Sequence, residues 1–118
     1  MNNYLITWHA NWADEFDIFG INILTHKQRK LLLDALLKYS KDLEDSEIDL
    51  YFGINEYISY KPSELYNIIK LATPLIETEY LVLSKFFSRE DGQEFISQII
   101  DILSSNNYLN QEEYYDIF

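Results

Sequence analysis

Only three glycines (Gly20, Gly53, Gly92) and two prolines (Pro62, Pro74) interrupt a chain of 118 residues. Glycine and proline are the strongest local punctuators of structure, so a chain with so few of each connects its elements briefly. No Gly/Ser-rich or Pro-rich linker and no internal repeat divides it. The expectation is a single α+β domain over 1–118, long enough to bury about two-thirds of its unfolded surface without disulfides or metal.

The hydrophobic pattern places the elements. Tyr4 to His9 is rich in β-branched and aromatic residues and reads as a strand, with Tyr4, Ile6 and Trp8 on one face. Ala10 to Glu15 connects it to a second strand, Phe16 to Leu24, whose alternation changes phase at Gly20. A β-bulge at Gly20 would bring Phe16, Ile18, Ile21 and Ile23 onto one face. Thr25 and Gln28 have capping-box spacing, and Leu32, Ala35, Leu36, Tyr39 and Leu43 form the apolar stripe of the helix that follows. Its opposite face carries Lys27, Lys30, Asp34, Lys38 and Lys41 and reads as solvated.

Ile48, Leu50 and Phe52 alternate with Asp49 and Tyr51, predicting a half-buried strand, and Tyr57 to Tyr60 predicts its neighbour. Pro62 opens about one helical turn, and Ile68 to Ala72 reads as a strand. A helix is expected from Glu79 to Phe87 with Thr78 as cap. Another follows from Ser88 to Ser105, with Phe95, Ile96, Ile99, Ile100 and Leu103 inward and Asp91, Glu94, Gln98 and Asp101 outward. The tail 106–118 either forms one more turn capped at Asn110 or lies loose, and Tyr114, Tyr115, Ile117 and Phe118 favour docking. The fold expected is therefore a mostly antiparallel sheet of four to five strands with about three helices packed on it.

Charge and composition restrict function. Twenty acids against nine bases give a net charge of −11, which disfavours direct nucleic-acid binding and favours a basic protein partner. No apolar run is long enough to span a bilayer, so no membrane segment is expected. Met1-Asn2-Asn3-Tyr4 shows no basic stretch leading into an apolar one, so no secretory signal is expected. The absence of cysteine excludes disulfides, thiolate metal sites and cysteine nucleophiles, and fits a cytoplasmic protein. Three isolated glycines build neither a dinucleotide fingerprint nor a phosphate loop. His9 with Asp14, Glu15 and Asp17 matches no standard ligand spacing, and Leu50 stands where a calcium loop starting at Asp45 needs glycine. No catalytic residue, metal site or cofactor is assigned.

Two clusters point instead to recognition. The first is Trp12 with Asp14, Glu15 and Asp17, an indole among carboxylates in or beside a turn. The alternative for Trp12 is a lid folded into the core. The second is the acidic run that includes Asp45, Glu47 and Asp49. Asp49 and Tyr51 would share an outward sheet face, which Tyr57 and Ser59 would extend from the neighbouring strand. That composition, aromatic and polar on rigid strands, suits an interface.

The segment Tyr4 to Leu24, centred on Asn11-Trp12-Ala13-Asp14-Glu15-Phe16-Asp17, resembles small acidic bacterial immunity proteins, which neutralise contact-dependent or polymorphic toxins. The resemblance implies a non-enzymatic inhibitor of a basic toxin domain such as a nuclease, and it carries over no functional residue. The alternative is a phage-encoded inhibitor or nucleic-acid mimic acting on a bacterial defence protein. The sequence does not determine an oligomeric state.

Overall fold

The structure, a computed structural model, describes residues 2–12, 15–42, 46–51, 57–86 and 89–117, with the backbone alone over 10–12, 15–19, 84–86 and 89–94. Its elements run β1 (Asn3–Trp12), β2 (Glu15–Thr25), α1 (His26–Asp42), β3 (Ile48–Tyr51), β4 (Tyr57–Tyr60), α2 (Pro62–Lys70), β5 (Thr73–Leu75), α3 (Glu77–Phe86), α4 (Arg89–Ser105) and α5 (Gln111–Ile117). The class is α+β, as expected. The strands form two antiparallel sheets rather than one, in the orders β2-β1-β5 and β3-β4, and the described residues hold five helices rather than three.

The long hairpin sets the geometry. β1 and β2 pair from Asn3↔Thr25 to Trp8↔Gly20, then shift to His9↔Ile18 and end at Trp12↔Glu15. The shift leaves Phe19 as the extra residue of a bulge beside Gly20, so the phase change in the sequence is a real offset in the ladder. It puts Phe16, Ile18, Ile21 and Ile23 on one face, opposite Leu5, Thr7 and His9. The other face carries Ile6, Trp8, Asn22 and Leu24, and this is the buried one. The Trp8 indole is fully enclosed and donates through Nε1 to Asn22 Oδ1 at 2.5 Å. β5 joins the opposite side of β1 as an edge strand, where the missing amide of Pro74 is tolerated.

Helix α1 begins directly at the end of β2. Thr25 Oγ1 accepts from the Gln28 amide at 3.2 Å, and Gln28 Oε1 accepts from the Thr25 amide at 2.8 Å, the reciprocal bonds of a capping box. Leu32, Ala35, Leu36 and Tyr39 are buried, while Lys27, Lys30, Asp34, Lys38 and Lys41 are exposed. Helix α4 connects the two sheets by packing on β2 and β3, with Phe95, Ile96, Ile99, Ile100 and Leu103 in the core. Ile48 and Leu50 of β3 and Leu65 and Ile69 of α2 join the same cluster.

Ala10 to Trp12 and Glu15 continue the two strands instead of connecting them, because the ladder runs on past the bulge to Trp12↔Glu15, and three further local expectations need correction. Residues Ile68 to Lys70 are helical, not extended: Leu65 and Ile69, one turn apart, bury together as α2 packs on α1, and this outweighs the strand preference of two adjacent isoleucines. The strand comes later, at β5. Helix α3 starts at Glu77, two residues early, because the Glu79 carboxylate reaches back to accept from the Ile76 amide at 3.2 Å. Gln98 does not simply face away. Its side-chain amide bonds both backbone groups of Tyr51, accepting at 2.8 Å and donating at 3.1 Å.

Arg29 ties α1 to the end of α2. Its guanidinium lies 4.4 Å from the Tyr4 ring centroid and donates to the carbonyls of Ile69 (3.3 Å) and Lys70 (2.8 Å). Helix α5 docks on α1. Gln28 Nε2 donates to the Ile117 carbonyl, Ile117 is buried, and Lys27 pairs with Asp116 at 3.1 Å on the surface. A second capping box, Asn110 with Glu113, starts α5. No helix among the described residues is long and apolar enough to cross a membrane.

Candidate functional site

The short sheet presents its outer face to solvent. In β3 the inward positions, Ile48 and Leu50, are fully buried, and the outward positions, Asp49 and Tyr51, are exposed. The period of two that decides this was visible in the sequence. Register places Asp49 opposite Ser59 and Tyr51 opposite Tyr57. Four of the residues read as one face therefore do meet. Ser59 Oγ donates to the Asp49 carboxylate, and the Tyr51 and Tyr57 rings lie 6.0 Å apart, each more than half exposed. Glu47 is exposed immediately before β3.

The face has a firm base. Behind it Ile48 and Leu50 sit in the main core, and the Gln98 amide clamps the backbone of Tyr51. Tyr60, the last residue of β4, turns inward. Its ring meets Trp8 edge-on at 6.1 Å, and its hydroxyl donates to the His9 carbonyl at 3.2 Å. Two large aromatic rings thus join the small sheet to the long hairpin.

Burial raises the pKa of Tyr60 above its ordinary value of 10, and the nearby Glu64 carboxylate adds to the effect. The native state therefore keeps this proton at a pH where the unfolded chain releases it. Its contribution to stability is fully present below pH 10 and is lost as pH rises through the raised native value. The expected result is a melting temperature that falls above pH 10, with a shallower fall in Tyr60→Phe. Circular dichroism melts between pH 7 and 11 would check it, and equal slopes in the two proteins would refute it. Tyr108 is shifted in the same direction by burial and by donation to Asp42 at 3.1 Å, so some slope remains in the variant.

The other expected residues fare differently. Trp12 pairs with Glu15, and Asp17 with Ala10, on the backbone at the far end of the hairpin. The side chains of Trp12, Glu15 and Asp17 lie outside the described set, as do Asp14 and Asp45 altogether. Exposed carboxylates also occur on every helix whose side chains are described, for instance Asp34, Glu64, Glu79, Asp101 and Asp116. Negative charge is thus spread widely. What distinguishes the β3–β4 face is that its acids adjoin exposed rings on a backed strand pair.

The chain matches no family model, no curated protein and no solved structure.

Proposed function

We propose that the chain is a non-catalytic cytoplasmic binding protein of the immunity type, which neutralises a basic toxin domain by covering its active or substrate-binding surface. The observation that carries this reading is the Tyr51–Tyr57 pair, exposed beside Asp49 and Glu47 on strands anchored in the core. Rigid rings supply contact area at low entropic cost, and adjoining carboxylates steer a cationic surface into register. The net charge of −11 adds long-range attraction to the same partner. A toxin's own Arg and Lys, placed to hold a polyanionic substrate, would be the groups covered. Trp12, Glu15 and Asp17 would extend the contact from the end of the hairpin.

The test begins with co-expression of the chain with the basic proteins encoded beside its gene, scored by relief of growth arrest. With the partner so found, Glu47→Gln/Asp49→Asn should slow association about tenfold at low salt and flatten its salt dependence. Tyr51→Ala and Tyr57→Ala should each speed dissociation about thirtyfold, the equivalent of about 2 kcal/mol for a central anchor. Failure to relieve arrest by any neighbour, or an unchanged association rate in the double variant, would overturn the assignment.

A further inference from the structure

We propose that a groove between the C-terminal end of α4 and helix α5 receives an arginine side chain of a protein partner. This goes beyond the reading above, because it concerns a different surface. The groove encloses about 510 Å³, and its walls include Asp101, Ser104, Ser105, Asn107, Tyr114 and Tyr115. Among the described residues no Lys, Arg or His lines it, and neither α4 nor α5 has a base in its last turn. The C-terminal end of a 17-residue helix is a negative pole, so a cation is the charge it favours. Asp101, one turn back and exposed, adds a full negative charge.

Chemistry narrows the cation to a guanidinium. Tyr115 is 66 % exposed and offers a ring for stacking, while Asp101 and the amide and hydroxyl oxygens of the walls offer acceptors. A planar fork of N–H donors stacks on a ring and bonds a carboxylate together, which a compact ammonium does less well. The wall formed by the start of α5 does not serve an anion, because its first turn is closed by Asn110 and Glu113.

The molecule already contains this arrangement once. At the end of α2 it holds the guanidinium of Arg29 over the Tyr4 ring and against the last helical carbonyls. The end of α4 presents a helix terminus and an exposed tyrosine with an added carboxylate and, among the described residues, no arginine; its Ile102, Leu103 and Ser104 carbonyls already accept from Asn106, Tyr108 and Asn107, so Asp101 takes their place as the acceptor. The chain's net charge of −11 draws a basic protein toward this surface, which suits an arginine carried on a peptide rather than the free amino acid.

The experiment is a titration of the isotope-labelled full chain with acetyl-Gly-Arg-Gly-amide, followed by amide chemical shifts. Its lysine and citrulline counterparts and free arginine serve as parallel probes. The arginine peptide should move the amides of Asp101, Ser104 to Asn107, Tyr114 and Tyr115. The lysine peptide should bind about fivefold more weakly, and the citrulline peptide should leave those amides unmoved. Asp101→Asn and Tyr115→Ala, both at exposed positions, should each weaken the arginine peptide about fivefold with unchanged melting temperature. Equal binding of the citrulline peptide, shifts spread over exposed acids elsewhere, or unchanged affinity in both variants would overturn the proposal. Tighter binding of free arginine than of the peptide would overturn the protein partner. None of these results bears on Glu47, Asp49, Tyr51 or Tyr57, so the two readings fail separately.

Discussion

Gly20→Ala should destabilise the protein by about 1–3 kcal/mol, the range for forcing extra volume into a packed interior. A Cβ built on Gly20 would stand 1.6 Å from Cε2 and 2.2 Å from Cδ2 of Phe95, far inside van der Waals contact. Phe95 is only 5 % exposed, so its ring has little space to retreat. The glycine's backbone angle is an ordinary one, and the requirement is for room. Gly20 sits opposite Trp8, beside the bulge, where α4 crosses β2. A substitution there therefore pushes apart the helix and hairpin that enclose the core. Urea melts of Gly20→Ala, Phe95→Ala and the double variant would isolate the effect. In the Phe95→Ala background, itself costing about 3–5 kcal/mol, the alanine at position 20 should be nearly free. An equal cost in both backgrounds would show that the ring contact is not the cause.

Asn22→Leu is expected to cost about 1–3 kcal/mol, the penalty for leaving a buried donor unpaired. Asn22 is the one polar side chain among the described residues that is buried in the core, and it accepts from the fully enclosed Trp8 indole. The leucine is close in size but has no acceptor, so the indole N–H is orphaned away from water. Trp8→Phe should lose both packing and the partner of Asn22. The double variant Trp8→Phe/Asn22→Leu should cost less than the sum of the two, because no polar atom is then stranded. A Trp12→Phe background leaves Trp8 as the only tryptophan, so its emission, excited where tyrosine does not absorb, and the urea midpoint report the same event. Strict additivity would dismiss the hydrogen bond as a source of stability.

Much of the architecture was legible because it depends on spacing. The outward face of Asp49, Tyr51, Tyr57 and Ser59 follows from alternation and pairing, and the bulge follows from the phase break at Gly20. Both helix starts at Thr25 and Asn110 are written as short polar signatures. The end of α4 at Asn106-Asn107 is also written locally: Asn107 adopts a positive φ of 64°, and the amides of Asn107 and Tyr108 return to the carbonyls of Ser104 and Leu103.

What was not legible depends on distant contacts. Ile68 and Ile69 favour a strand by type, and only packing of α2 on α1 makes them helical. Gln98 lies on the polar side of its helix by periodicity, which cannot reveal that a strand's backbone waits within reach. Asn22 looks like a weak residue in a strand until the indole above it is known. The division into two sheets was hidden for the same reason, since the order of strands in a chain does not say which edges meet.

The Gln98 clamp has a further consequence for how anything can approach β3. Its amide fills the hydrogen-bonding groups of Tyr51 as one residue of an incoming strand would. Exposed strand borders are where chains add to one another, in regulated complexes and in cross-β aggregates alike. At this position the border is already satisfied by the protein itself. At Tyr51 a visitor must therefore engage side chains on the flat of the ribbon, where shape and charge discriminate, because main-chain pairing that would accept almost any sequence is taken there.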